Sequence, residues 1–126
     1  MKTTVAVLLI VVGVIHLLPV TGALGGERLA ALYGMAIAEP NLEILMRHRA
    51  VLFGLLGGLL IYAAFVPAAQ PLAIVAGFAS VISFLWLARP VSEINEALMR
   101  VVIADWVALA CLLVAAGLML RLRTSG

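Results

Sequence analysis

Ala50-Val51-Leu52-Phe53-Gly54-Leu55-Leu56-Gly57-Gly58-Leu59-Leu60-Ile61-Tyr62-Ala63-Ala64-Phe65-Val66-Pro67-Ala68-Ala69 runs for twenty residues without a charge. At about 1.5 Å of rise per residue, a helix of this length covers the roughly 30 Å hydrocarbon core of a bilayer. Backbone groups in lipid must be satisfied within their own segment, which makes helix the default. The run Val51–Leu56 lacks the period-two alternation of a membrane barrel strand. Three similar stretches flank it. Val5–Leu24 is interrupted only by His16 and Pro19, Leu72–Ala88 follows a Gln70-Pro71 turn, and Val101–Leu120 contains one charge, Asp105.

Composition agrees. Of 126 residues, 66% are hydrophobic and 11% charged, and the mean hydropathy is +1.27. Globular domains are about 45–50% apolar and about 25% charged, so this chain has too little polar surface for a water-soluble enzyme and is too apolar for disorder. Eight Lys/Arg against six Asp/Glu give a net charge of +2, scattered too thinly for a nucleic-acid stripe. The single Cys111 excludes an intrachain disulfide and a thiolate cluster. The expectation is one all-α domain over residues 1–126, an integral membrane four-helix bundle with spans at about 5–24, 42–66, 70–88 and 97–120. Lys2 and Val20-Thr21-Gly22 also fit a cleaved signal peptide, but the segment is counted as the first span.

The connections are unequal. Gly25-Gly26 ends the first span and Pro40-Asn41 opens the second. Between them Glu27–Tyr33 forms a short interfacial helix, with Tyr33 at headgroup level. Arg89-Pro90-Val91-Ser92-Glu93 stops the third span and caps the fourth. Trp86 and Trp106 suit an interfacial belt. Four spans put Lys2, Arg121 and Arg123 on one side without any acid, and all six carboxylates with five arginines on the other. The raw count of Lys/Arg, three against five, would put the loop-rich side in the cytoplasm; setting aside Arg47, Arg49 and Arg100 as intrahelical leaves three against two and favours both termini in the cytoplasm.

The candidate polar cluster is His16, Glu43, Arg47, His48, Arg49 and Asp105, which three spans carry into the same half of the bilayer. Such groups are costly facing lipid and are expected to turn inward and pair. At about 100° per residue, Glu43, Arg47, Val51, Gly54 and Gly58 share a stripe that includes the Gly54/Gly58 GxxxG spacing. Asp105 is therefore expected to pair with Arg47 rather than Arg49, with His16 approaching the same cluster. Ala73, Gly77, Ser80 and Phe84 in the third span, and Ala104, Ala108, Cys111 and Ala115 in the fourth, read as helix interfaces. No HxxxH or ExxH spacing gathers metal ligands on one helix, so no metal and no cofactor is expected. Haem between His16 and His48, or a proton relay through His16, His48 and Asp105, ranks below a pocket for a lipophilic molecule with a polar head.

Gly13-Val14-Ile15-His16-Leu17-Leu18-Pro19, Glu27-Arg28-Leu29-Ala30-Ala31-Leu32-Tyr33-Gly34, Pro40–Ala50 and Val102-Ile103-Ala104-Asp105 together resemble a family of short bacterial four-helix membrane proteins. Its members are often labelled automatically as phosphopantetheine adenylyltransferase. The true adenylyltransferase is similar to soluble α/β nucleotidyltransferases with an HxGH motif. Here neither His16 nor His48 begins such a motif and no Gly-rich phosphate loop follows a strand, so a nucleotidyltransferase is not expected. The resemblance implies a membrane bundle and carries over no catalytic residue.

The sequence thus predicts a small non-enzymatic protein of a bacterial inner membrane, an oligomeric or accessory bundle. Its partners would be the lipid bilayer and a second copy or a larger membrane complex, with no nucleic acid. The alternative is a membrane protein binding a quinone, lipid or isoprenoid at the His/Arg/Asp cluster.

Overall fold

A computed structural model describes residues 1–125 and contains helices but no strand among them. The helices are α1 (Lys2–Leu17), α2 (Gly26–Tyr33), α3 (Pro40–Phe65), α4 (Gln70–Ala88) and α5 (Glu96–Ser125). Four stretches are long and apolar enough to cross a membrane: Lys2–Leu24, Pro40–Phe65, Pro67–Ala88 and Glu96–Thr124. Their bounds lie within a few residues of those expected, except that the first and last extend further toward the termini.

Local chemistry sets the ends. Pro19 has no N–H to continue the α ladder, and the chain tightens into 3-10 turns over Leu18–Leu24 before Gly25 breaks it. Helix α2 stops at Gly34, whose φ of 66° is left-handed and suits a residue without Cβ. Helix α3 starts on a cap: Glu39 accepts from Leu42 N–H at 2.9 Å, and this bond, with further help from Asn41, holds the Glu39 carboxyl below its ordinary range. Pro40 follows at the first helical position, where its missing N–H does no harm. The expected cap of α5 at Ser92-Glu93 is corrected. Asn95 fills that role, its Oδ1 accepting from Leu98 N–H at 2.7 Å while its Nδ2 donates to the Tyr33 carbonyl at 2.8 Å. One amide thus caps α5 and ties it to the end of α2.

Each long helix packs against two others, in the order α1, α3, α4, α5 and back to α1. The main core runs along this ring through Leu9, Val12, Leu60, Val81 and Leu112. A smaller core of Leu29, Tyr33 and Ile37 holds α2 down against Met46 and Leu98. The closest approach is between α1 and α3. A Cβ on Gly13 would meet the Gly57 carbonyl oxygen at 2.9 Å, and a Cβ on Gly57 would meet the Gly13 carbonyl oxygen at 2.8 Å. The expected Gly54/Gly58 packing stripe is therefore rotated by one residue. Gly58 is exposed and a Cβ there would meet nothing within 4 Å, while Gly54 lies against Val20 of the connection.

These contacts predict opposite outcomes for neighbouring glycines. Gly57→Ala forces backbone against Cβ and should destabilise the protein by about 1–3 kcal/mol. Gly58→Ala should be neutral or stabilise by up to about 1 kcal/mol through helix propensity. Thermal and denaturant unfolding in detergent micelles measures both.

Candidate functional site

The Gly13/Gly57 crossing fixes what lies one and two turns nearer the long connections. On α1 that is His16; on the antiparallel α3 it is Phe53 and then Arg49. His16 is buried, with 3% of its surface exposed. Its Nδ1 donates to the Val12 carbonyl at 2.9 Å, since a carbonyl only accepts. In the neutral ring Nε2 then accepts from the Ser80 hydroxyl of α4 at 3.0 Å. This bond crosses the ring of helices between two members that are not packed neighbours. The imidazole also sits against Phe53, with ring centroids 5.8 Å apart. Both ring nitrogens are occupied, so His16 acts as a cross-brace.

Arg49 enters the interior through aromatic rings rather than through a carboxylate. Its guanidinium carbon lies 4.6 Å from the Phe53 centroid and 5.3 Å from that of Tyr33, and Nη1 donates to the Tyr33 hydroxyl at 2.7 Å. Tyr33 is itself buried, because α2 packs against both α3 and α5. A guanidinium is weakly hydrated and planar, which makes it the cation best suited to this position.

A cavity of about 250 Å³ opens beside this group. Its walls come from α1 and the following turn (Ile15, His16, Leu18, Pro19), from α2 (Ala31, Leu32, Tyr33), from α3 (Arg49, Phe53) and from α5 (Ala97, Arg100, Val101, Ala104, Asp105). Most of these are apolar; Asp105, half-buried, is the only carboxylate. It has no hydrogen-bond partner among the described residues, and Arg49 is the cation whose field reaches it. Leu18, Ala31 and Arg100 are exposed and mark the mouth.

The structure thus brings together three of the six candidate residues, His16, Arg49 and Asp105. Glu43, Arg47 and His48 lie elsewhere. Glu43 accepts from Gly26 N–H at 2.9 Å and so fastens α3 to the start of α2, while Arg47 Nε donates to the Ala23 carbonyl at 2.9 Å and fastens α3 to the turns before it. His48 is exposed. The expected Arg47–Asp105 pair is not formed: among the described residues Asp105 has no ion-pair partner, and Arg49 rather than Arg47 is the arginine of helix α3 that shares its cavity. The cause is the rotation seen at Gly57: the inward stripe of α3 runs Arg49, Phe53, Gly57, Leu60, Ala64, and Arg47 lies about 120° around the helix from its centre.

Tyr33, Phe53, Ser80 and Arg100 join the site without having been singled out for it. The spacing Arg49-x-x-x-Phe53-x-x-x-Gly57 is the signal that could have found two of them, since it puts a cation and an aromatic ring one helical turn apart. His16 and His48 do not face a common space, so they cannot bracket a haem. Among the described residues no three His, Cys, Asp or Glu side chains converge to hold a metal.

No family model, curated protein or solved structure matches the chain. The site must be read from its own chemistry.

That chemistry separates two adjacent arginines. Arg49→Gln removes a charged hydrogen bond and two ring contacts and should cost about 2–3 kcal/mol of stability. Arg47→Gln removes one exposed bond to a carbonyl and should cost less than about 1 kcal/mol. Unfolding of the two variants side by side in one detergent tests the assignment; a larger loss at Arg47 would reverse it.

Proposed function

We propose that this chain is an integral membrane protein, a four-helix bundle of a bacterial inner membrane with a short interfacial helix, that binds a lipophilic molecule by its polar head in the Arg49/Asp105 cavity. One observation carries the reading: a half-buried carboxylate lacking a hydrogen-bond partner faces an apolar-walled cavity beside a guanidinium with donors to spare. An unpaired polar group in such surroundings costs free energy that a ligand can recover. Asp105 offers an acceptor and Arg49 offers donors, so the fitting head carries both a hydroxyl or similar donor and an oxygen acceptor. Quinols, fatty acids and hydroxylated isoprenoids all qualify. Pockets enclosing a whole drug-sized ligand measure about 300–1,000 Å³. This one is smaller, which suits a head group whose tail leaves past Leu18 into lipid.

Lys2 and Arg123 line a second cavity at the opposite end, near Pro67, so the basic, acid-free segments gather there. That supports a topology with both termini in the cytoplasm. The likeness to short bacterial four-helix membrane proteins agrees with this reading. An oligomeric, non-enzymatic bundle is the second reading, favoured by Gly58 and Gly117, which leave open notches on exposed helix faces.

Mass spectrometry of lipid extracts from protein purified in mild detergent tests the first reading. A near-stoichiometric lipophile is expected, lost in Asp105→Asn while the melting temperature of the emptied protein holds. An extract identical for wild type and Asp105→Asn would overturn it. Size measurement in the same detergent tests the second, for which a strictly monomeric species counts as refutation.

A further inference from the structure

The chain has two tryptophans, and both line one groove. It lies between the C-terminal part of α4 and the N-terminal part of α5, has a volume of about 450 Å³, and is floored by Leu85, Val102 and Leu109. Trp86 and Trp106 are 63% and 57% exposed along it, so the groove faces outward and is separate from the Arg49/Asp105 cavity. At its end stands Arg89. The Arg89 guanidinium carbon lies 4.0 Å from the Trp86 ring centroid, which places the cation over the indole. Its N–H donors have no hydrogen-bond partner among the described residues.

We infer that this groove is a binding site for an anionic phospholipid, with an acyl chain along the Trp86/Trp106 wall and the phosphate on Arg89. The inference rests on the membrane reading above. Each part of the groove matches a part of that molecule. The wall is apolar along a helix–helix seam and suits a hydrocarbon chain. The indole rings suit the depth where chain meets head group. A guanidinium offers paired donors that fit two phosphoryl oxygens, and contact with Trp86 keeps that of Arg89 beside the groove. A net negative head is favoured over a zwitterionic one because the choline or ethanolamine cation of the latter would face Arg89 with like charge. A second copy of the chain, by contrast, would have to bring its own anion to Arg89.

The two tryptophans make the site report on itself. The full chain is reconstituted in vesicles of phosphatidylcholine or phosphatidylglycerol with brominated acyl chains, and quenching of tryptophan fluorescence is followed across mixtures. Phosphatidylglycerol is expected to occupy the groove about fivefold better than phosphatidylcholine, the ratio one basic side chain near the surface gives. Arg89→Gln should bring that ratio to about one, while Arg28→Gln, which changes an exposed charge on α2, should leave it unchanged. Equal quenching by both lipids in the wild type, a preference that survives Arg89→Gln, or one lost equally in Arg28→Gln would overturn the site and leave membrane insertion standing. No quenching by either lipid would instead refute the membrane reading on which the site rests.

Discussion

Two glycines meeting across a helix crossing govern this structure. Where Gly13 and Gly57 face each other, neither backbone carries a side chain between them, and α1 and α3 come within contact of each other's carbonyl oxygens. Between helices that sit in lipid there is little hydrophobic drive, and close packing of this kind is then a main source of association. The crossing also sets register. Once Gly13 is opposite Gly57, His16 must lie beside Phe53, and Arg49 one turn further on must enter the interior. The polar site follows from a packing constraint that contains no polar atom of a side chain.

The interior then deals with its ionisable groups in three ways. His16 is satisfied twice, by the carbonyl one turn behind it and by Ser80 across the ring of helices. Arg49 is held by ring faces and a phenol hydroxyl, which stabilise a cation without a full counter-charge. Asp105 is left with acceptor capacity toward a cavity. A region built only for stability would use its polar atoms on each other. Unspent hydrogen-bonding capacity remains in that carboxylate and in the Arg49 guanidinium, and both line the same cavity.

Hydropathy made the four long helices legible, because charge-free runs of bilayer length have few alternative structures. The short helix between the first two was legible from Glu27–Tyr33 and the glycines on either side. Helix phase was harder. Gly54-Leu55-Leu56-Gly57-Gly58 offers two readings, one with Gly54/Gly58 and one with Gly57, and they differ by about 100° around the axis. Spacing within one helix cannot choose between them; the choice needs the partner glycine, Gly13, which lies far away in sequence. The same rotation moved Arg47 outward and Arg49 inward. The amphipathic turns around Tyr33 gave no sign that its ring would be buried inside the protein, where the Asn95 amide on its carbonyl holds the end of α2 down. Ser92 preceded a plausible helix start, but Asn95 offers both an acceptor for Leu98 and donors for α2. In each case local sequence identified the right chemistry and a distant residue decided its place.

Helix α2 is only eight residues long, too short to hold its form in water without docking. It is fastened at its start by Glu43 and at its end by Asn95, and between these tethers its Leu32 and Tyr33 form part of the cavity wall. A molecule seated beneath those two side chains gains contacts only when the helix is formed and in place. Occupancy and helix order would then be linked by one coupling free energy: whatever frays α2 weakens binding, and binding shifts the fraying equilibrium by the same factor. For an occupant of the kind proposed above, the connection between the first two long helices would be a thermodynamic gauge of its presence, readable by the exchange of its amide hydrogens.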